Sequence, residues 1–314
     1  MSRKVIIDCD LGIDDAVALC MLLLDEQLEV LAVTATEGVV PADQANHNLQ
    51  AIVTEIDPER HPRLGLASPA EDAPPVDTRY LFGNDGLGNS DLNAFQRQHT
   101  MMSDKLIVDC ARANPEEVTL VCLGPLTNLA RAIRREPNLP SMLSQVVMVG
   151  GSLTATGNIS PCSEFNFYFD PIAAREVLAT RMTKTLIPLD VVREVTFGLD
   201  LMDQLPGEDT RVGWFLKQIF PFAFRAFRQQ LGLENITLND AVGALALMDP
   251  DLFEFEQMVG DVETEGELTR GVLVLDRRRE LREAPNVTVA TSLRTEDARQ
   301  YLIDPLMMAG NRTK

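Results

Sequence analysis

Short apolar runs alternate with amphipathic stretches over much of the chain. Val5-Ile6-Ile7, closed by Asp8-Cys9-Asp10, predicts a buried strand. Gly12 follows as a turn residue, and Asp14 and Asp15 open a helix that runs through Ala16, Leu19 and Leu23. Acidic residues in a first helical turn suit the helix dipole. Leu28–Thr34 reads as a second strand, 42–56 as a helix and Leu64-Gly65-Leu66 as a third, short strand. Val118–Leu123 is a strand that Gly124-Pro125-Leu126-Thr127-Asn128 turns into a helix reaching Arg135. Gln145–Val149 is a strand ending at Gly150-Gly151, Asp170-Pro171 starts a helix, and Thr185–Pro188 is another strand.

That alternation predicts an α/β fold, an open and mostly parallel sheet covered by helices on both faces, with right-handed crossovers. The pattern changes after about Asp190. Arg211–Gln230 predicts a long helix carrying Trp214, Phe215, Phe220, Phe222, Phe224 and Phe227, bent at Pro221. Asp240–Leu247 is a further helix. Val259–Thr264, Gly271–Leu275 and Val287–Ala290 read as a small strand meander, and Thr295–Met308 as a last helix. No linker, repeat or low-complexity segment interrupts residues 1–314, so one domain is expected.

Composition adds exclusions. Hydrophobic residues make up 45% and charged residues 24% of the 314, a globular balance that can bury a core without a structural metal. The formal net charge is −19 and the isoelectric point about 4.5, which makes nucleic acid and anionic membranes poor partners. The apolar run Val17–Leu24 is too short to span a bilayer. Strand pattern begins almost at Met1, leaving no room for a signal peptide, so a cytoplasmic location is expected. Of the five cysteines, Cys9, Cys20, Cys110 and Cys122 lie in apolar stretches and read as small buried hydrophobes; Cys162 does not. His47, His61 and His99 read as surface or loop residues.

Candidate chemistry concentrates at strand ends, where ligands bind in open α/β sheets. Asp8, Asp10, Asp14 and Asp15 place four carboxylates within eight residues at a strand-to-helix turn. Such neighbours repel one another unless a cation lies among them, and an all-oxygen cluster favours calcium or magnesium over zinc. Taken singly, Asp14 and Asp15 could serve only as helix caps and Asp8 could be solvated.

The stretch Asp8-Cys9-Asp10-Leu11-Gly12-Ile13-Asp14-Asp15-Ala16 resembles the motif of the nucleoside hydrolase family, the inosine-uridine preferring enzymes and their relatives. The likeness continues in order through Leu123–Asn128, Gly150-Gly151, Gly157-Asn158, Glu164-Phe165-Asn166, Asp170-Pro171 and Asp240-Ala241. Glu263, Gly266, Thr269, Arg270, Gly271 and Asp276 complete it. The resemblance implies calcium-dependent hydrolysis of the N-glycosidic bond of ribonucleosides, giving ribose and free base. It implies a Ca2+ ion held by Asp10, Asp15, the backbone carbonyl of Leu123 and Asp240, with water and two ribose hydroxyls completing the shell. Asp10 would activate the water, and Asp14, Asn158, Glu164 and Asn166 would hold ribose. A homodimer or homotetramer is expected.

Three positions depart from the family pattern. Asn239 stands where many members carry a histidine that protonates the leaving base, Val39 follows Gly38 where asparagine is common, and Phe82 precedes Gly83 where histidine is common. Phe82 and Asn239 are therefore expected at the base, with Phe82 and the aromatics from Trp214 to Phe227 supplying an apolar pocket. Losing a general acid costs roughly 10²–10⁴ in rate unless another group serves. Two other readings compete. A haloacid-dehalogenase-like phosphatase also begins with a strand ending in Asp-x-Asp, but Gly12 occupies the place where that family wants Thr or Val. A protein that binds calcium and a ribosyl ligand with little turnover is the alternative that the missing histidine suggests.

Overall fold

The computed structural model describes residues 2–94, 100–278 and 284–313. Its main sheet is built from β1 (Arg3–Cys9), β2 (Leu28–Ala35), β3 (Arg63–Leu66), β4 (Met101–Met102), β5 (Val118–Cys122), β6 (Leu143–Val149) and β7 (Lys184–Ile187), joined later by three C-terminal strands. A short pair, β8 (Thr196–Phe197) and β9 (Ile236–Thr237), stands apart from it. The C-terminal strands are β10 (Phe253–Val262), β11 (Leu273–Asp276) and β12 (Val287–Leu293). The sheet order is β11-β10-β12-β7-β6-β5-β1-β2-β3-β4. All pairings from β12 across to β4 are parallel, and β10 pairs antiparallel with both β11 and β12. The C-terminal strands thus extend the main sheet, with β12 laid parallel to β7.

Alternation along the strands builds two cores. In β1, Val5, Ile7 and Cys9 join one cluster and Ile6 the other, because successive side chains leave opposite faces. The first cluster also takes the helices Ile13–Leu23, Ala42–Ile56, Arg211–Ala226, Asn239–Met248 and Thr295–Arg312. The second takes Ser103–Ala113, Thr127–Arg135 and Pro171–Ala179. The helix at Pro171 starts as its sequence demands. Proline occupies the first turn, where no amide donor is needed, and Asp170 Oδ1 accepts the Ala173 N–H at 2.9 Å. Asp170 Oδ2 accepts the Thr127 hydroxyl at 2.7 Å, tying that helix to the Gly-Pro-Leu-Thr-Asn turn.

Some elements differ from expectation. The helix Ser103–Ala113 and strand β4 were not anticipated. The long helix is α-helical to Ala226 with Pro221 inside it, passes into a π-helical turn at Phe227–Leu231, and is stopped by Gly232 at φ 69°. The last helix runs past Met308 to Arg312. At the first turn, the left-handed residue is Leu11 (φ 65°), not Gly12, whose φ is −79°. A left-handed leucine between Asp10 and Asp14 is the kind of backbone strain that functional sites retain. Cys9, Cys20, Cys110 and Cys122 are buried and Cys162 is half-buried, all as free thiols. His47 and His61 are exposed, and His99 lies outside the described residues. Among the described residues, no helix is long and apolar enough to cross a membrane.

Candidate active site

Adjacent strands β5 and β1 end side by side, and the carboxylates gather at those ends. Asp15 is fully buried in the first turn of its helix. Its Oδ2 accepts the Gly12 N–H at 2.8 Å, so it does cap the helix, but its Oδ1 is buried with no hydrogen-bond partner. Asp240 enters from the first turn of Asn239–Met248. Ligand oxygens of Asp14, Asp15 and Asp240 lie within 4.8 Å of one another. Two helix N-termini therefore face one small volume, and their dipoles favour negative charge there.

Asp10 lies beside this trio and is 3% exposed. Its Oδ2 accepts the Val39 N–H at 2.9 Å. The strand β2 exit passes so close that a Cβ on Gly38 would sit 2.0 Å from the same oxygen. Asp8, two residues earlier, is completely buried rather than solvated. Its Oδ1 accepts the Thr34 hydroxyl at 2.6 Å and Asn128 Nδ2 at 2.8 Å. The same Asn128 nitrogen donates to the Ala35 carbonyl at 2.8 Å, so the asparagine of the Gly-Pro-Leu-Thr-Asn turn stitches β1 to β2 beneath the site.

Burial raises every carboxyl in the group. It pushes Asp8 up to about 7 against the hydrogen bonds from Thr34 and Asn128, and Asp14 up to about 6 with help from the Asp10 charge. Burial raises Asp10, and it raises Asp15 and Asp240 well above the carboxylate range, with neighbouring aspartates adding their repulsion to the last two. Glu164 reaches about 7 through burial, although backbone N–H groups of Asn166, Gly151 and Phe167 pull the other way.

The walls come from β5, β6 and the segment after β6. Leu123 follows β5, and its carbonyl accepts Asn166 Nδ2 at 2.7 Å; the same nitrogen reaches the Val149 carbonyl at 3.0 Å. Asn166 thus bridges two strand ends and keeps its own oxygen for other partners. Glu164 caps the helix Phe165–Phe169 through Oε1 to Asn166 N–H at 2.9 Å and receives Gly151 N–H on Oε2 at 2.9 Å. Asn158 Oδ1 accepts the Phe165 N–H at 2.8 Å. Asn239 carries a buried Oδ1 without a partner.

Of the residues singled out in the sequence, Asp10, Asp14, Phe82, Leu123, Asn158, Glu164, Asn166, Asn239 and Asp240 line one cavity of about 770 Å³. Asp15 lies beneath its floor. The aromatic expectation needs correction: of the aromatics from Trp214 to Phe227, Phe227 alone lines the cavity. Phe215, Phe220 and Phe224 are core residues and Trp214 is exposed, because that helix buries its aromatic stripe against the helices Ile13–Leu23, Ala42–Ile56 and Thr295–Arg312 rather than in the site. Arg193, Tyr80, Leu231 and Leu233 also line the cavity and were not foreseen. Nothing local marks them: Tyr80 comes from the short helix Arg79–Phe82, Arg193 from the end of Leu189–Val192, and Leu231 and Leu233 from the end of the π-helical turn.

A hard cation fits this floor. The donors are all oxygen, one of them is a buried carboxylate oxygen with no partner, and among the described residues no Lys or Arg forms an ion pair with Asp10, Asp14, Asp15 or Asp240. A positive charge here would relieve both the repulsion and the desolvation.

Fold and site together define an α/β protein with a cluster of buried carboxylates at the strand ends, opening into a cavity of about 770 Å³. The family model described as inosine-uridine preferring nucleoside hydrolase matches residues 5–300. The chain is 30% identical over 304 residues to the non-specific ribonucleoside hydrolase RihC of Salmonella enteritidis, covering 96% of this chain and 97% of that one. It is 31% identical over 273 residues to the probable uridine nucleosidase 1 of Oryza sativa, covering 86% and 84%. A solved plant nucleoside hydrolase superposes with a TM-score of 0.90 at 25% identity, covering 98% of this chain and 99% of the other. The chain belongs to the inosine-uridine preferring nucleoside hydrolase family.

Proposed function

We propose that the protein hydrolyses the N-glycosidic bond of ribonucleosides to ribose and free base, with calcium at the carboxylate cluster. The observation that carries the reading is the trio Asp14, Asp15 and Asp240, within 4.8 Å of one another and beside Asp10, under a cavity walled by Glu164 and Asn166. Asp10, Asp15, Asp240 and the Leu123 carbonyl would hold the ion, a number of oxygens that leaves room for water and a sugar diol in a calcium shell. When bound, the cation supplies the positive charge that keeps the aspartates ionised and orients the diol.

Asp10 takes a proton from the attacking water, and the Val39 N–H holds its carboxylate in place for that task. As the C1′–N bond breaks, its electron pair leaves on the base and positive charge grows on the ribose ring. Buried carboxylates beneath the ring stabilise that charge because they need no reorganisation as it develops. Asp14, Glu164, Asn158 and Asn166 bind the sugar hydroxyls. Asn239 lines the cavity and delivers no proton to the base. Phe82 and Phe227 give the base an apolar wall.

The relatives' names, one non-specific and one a uridine nucleosidase, support a ribonucleoside substrate without fixing the base. Asn239 in place of a proton donor favours one competing reading, in which calcium and a ribosyl ligand bind with little turnover. Incubation with a panel of purine and pyrimidine ribonucleosides, followed by assay of free ribose, separates the two. Ribose from at least one natural ribonucleoside is expected; tight binding of ribonucleosides with no ribose from any of them overturns the hydrolase.

A further inference from the structure

The segment from Ser152 to Gly157 leads from the end of β6 to Asn158 at the cavity and contains no helix or strand. Asn158 itself is exposed, so packing does not hold it. Two side chains one helical turn apart, at the short helix Leu189–Val192 and the residue after it, hold the segment instead. Asp190 Oδ1 accepts Thr154 N–H at 2.7 Å, the Thr154 hydroxyl at 2.8 Å and Ala155 N–H at 2.7 Å. Its Oδ2 accepts Leu153 N–H at 2.6 Å and the Ser152 hydroxyl at 3.3 Å. Arg193 takes the opposite polarity: Nη1 donates to the Thr156 carbonyl at 2.7 Å and Nη2 to the Gly157 carbonyl at 3.3 Å.

The carboxylate thus binds the N–H groups of the first half of the segment, and the guanidinium binds the carbonyls of the second. Gly157 completes the arrangement. A Cβ there would lie 2.2 Å from the carbonyl oxygens of both Ser160 and Ser163, so the chain is pressed onto the next turn. The Asn158 N–H then donates to Ser163 O at 3.1 Å, and Asn158 Oδ1 is occupied by the Phe165 N–H. Only the amide Nδ2 is left to face the cavity. Charge-assisted bonds of this kind are short and stronger than neutral ones, and Leu153 is the one residue of the segment that packs against a core cluster, so these bonds supply most of what fixes residues 154–157.

We propose that Asp190 and Arg193 are positioning residues for ribose recognition, which clamp the 152–157 segment so that Asn158 presents its amide to one sugar hydroxyl. The inference rests on the ribonucleoside reading of the site. Neither residue belongs to the carboxylate cluster, so the clamp acts on the sugar and leaves cation binding alone. Burial alone would raise the Asp190 carboxyl, and the bonds from Leu153, Thr154 and Ala155 outweigh it and hold the group below the usual range, so the clamp stays charged at neutral pH.

The test compares wild type, Arg193→Met, Arg193→Lys, Asn158→Ala and the double variant Arg193→Met/Asn158→Ala. Each is assayed for kcat and KM on uridine and on its 2′-, 3′- and 5′-deoxy analogues, with calcium affinity by calorimetry. Arg193→Met is expected to lower kcat/KM on uridine by roughly 10- to 100-fold, the scale of a displacement of about 1 Å in a positioning group. The loss should vanish in the Asn158→Ala background, because the two residues act through one contact. It should also vanish on whichever deoxy analogue is indifferent to Asn158→Ala. Calcium affinity should stay at the wild-type value, and Arg193→Lys should recover part of the loss. An equal loss with and without Asn158, or an equal loss on all three deoxy analogues, overturns the clamp. If Arg193→Met does not fold, Arg193→Lys, with a single ammonium for two carbonyls, is read by the same comparisons. If the wild type releases no ribose, the hydrolase reading falls, and ribose affinity across the same variants decides the clamp by the same non-additivity.

Discussion

Gly38→Ala is the sharpest probe of how Asp10 is held. The added Cβ would stand 2.0 Å from Asp10 Oδ2 and 2.7 Å from its Cβ and Cγ. Real contacts of this kind stay beyond 3.0 Å, so something must move by 3.0 − 2.0 = 1.0 Å or more. The Gly38 backbone is not left-handed, so alanine fits the local conformation and the effect comes from the methyl group alone. Asp10 is buried and cannot swing into solvent. The loop can retreat only by giving up the 2.9 Å bond from Val39 N–H to Asp10, the Gly38 N–H bond to Val40 O at 3.2 Å, and the Thr78 hydroxyl bond to Val39 O. Losing a hydrogen bond to a charged group costs about 1.5–3 kcal/mol, and forced overpacking about 1–3 kcal/mol. The expected outcome is a melting temperature lowered by several degrees. Misplacing a reacting carboxylate by about 1 Å predicts a fall in kcat of about 10²-fold. Steady-state kinetics on nitrophenyl riboside, which needs no protonation of its leaving group, isolates the Asp10 step, and differential scanning fluorimetry reads stability. A variant that melts lower yet keeps the wild-type kcat would refute the assignment of Asp10 to water activation.

Three further outcomes follow from the same geometry. With the cation stripped, the raised folded-state values of Asp14, at about 6, and of Asp8 and Glu164, at about 7, mean that the folded protein holds more protons than the unfolded chain from about pH 4 to pH 7. Stability should therefore be highest at the acid end and fall as pH rises through that window, and calcium should raise the melting temperature more at pH 7.5 than at pH 5; equal calcium effects at the two pH values would count against the cluster as the ion's site. 2′-Deoxyinosine should react about 10⁴–10⁵ times more slowly than inosine, since a site built on hydroxyl contacts rejects an analogue lacking them; comparable turnover in a direct competition would end that account. Asn239→His should narrow the ratio of nitrophenyl riboside to inosine turnover, and a wild type that already cleaves both alike would reveal another acid at the base.

The parts of this account legible in the sequence are those where function crowds residues together along the chain. Asp8, Asp10, Asp14 and Asp15 occupy one turn, so a strand end, a helix start and a site for positive charge could be read from a single segment. The buried strands β1, β5 and β6 announced themselves as apolar runs, as parallel strands covered on both faces do. What escaped came from residues far apart in sequence. Asn128 meets Asp8 across 120 positions, and Arg193 reaches Thr156 across 37, so neither partnership leaves a local pattern. The aromatics of the long helix misled for a related reason: periodicity says which face is apolar and not whether that face meets a core or a cavity. Strand β4, with two residues, is too short to carry any periodic signal.

The central claim, that the carboxylate cluster is a calcium centre for ribonucleoside cleavage, is tested most directly by ribose release from metal-stripped protein titrated with calcium. Wild type, Asp15→Ala and Asp240→Ala are followed side by side on uridine and inosine. The stripped protein should release no ribose, release should recover saturably as calcium is added, and neither variant should recover at the concentration that saturates the wild type. Undiminished ribose release in the presence of excess chelator, or calcium recovery in Asp15→Ala equal to that of the wild type, would contradict it.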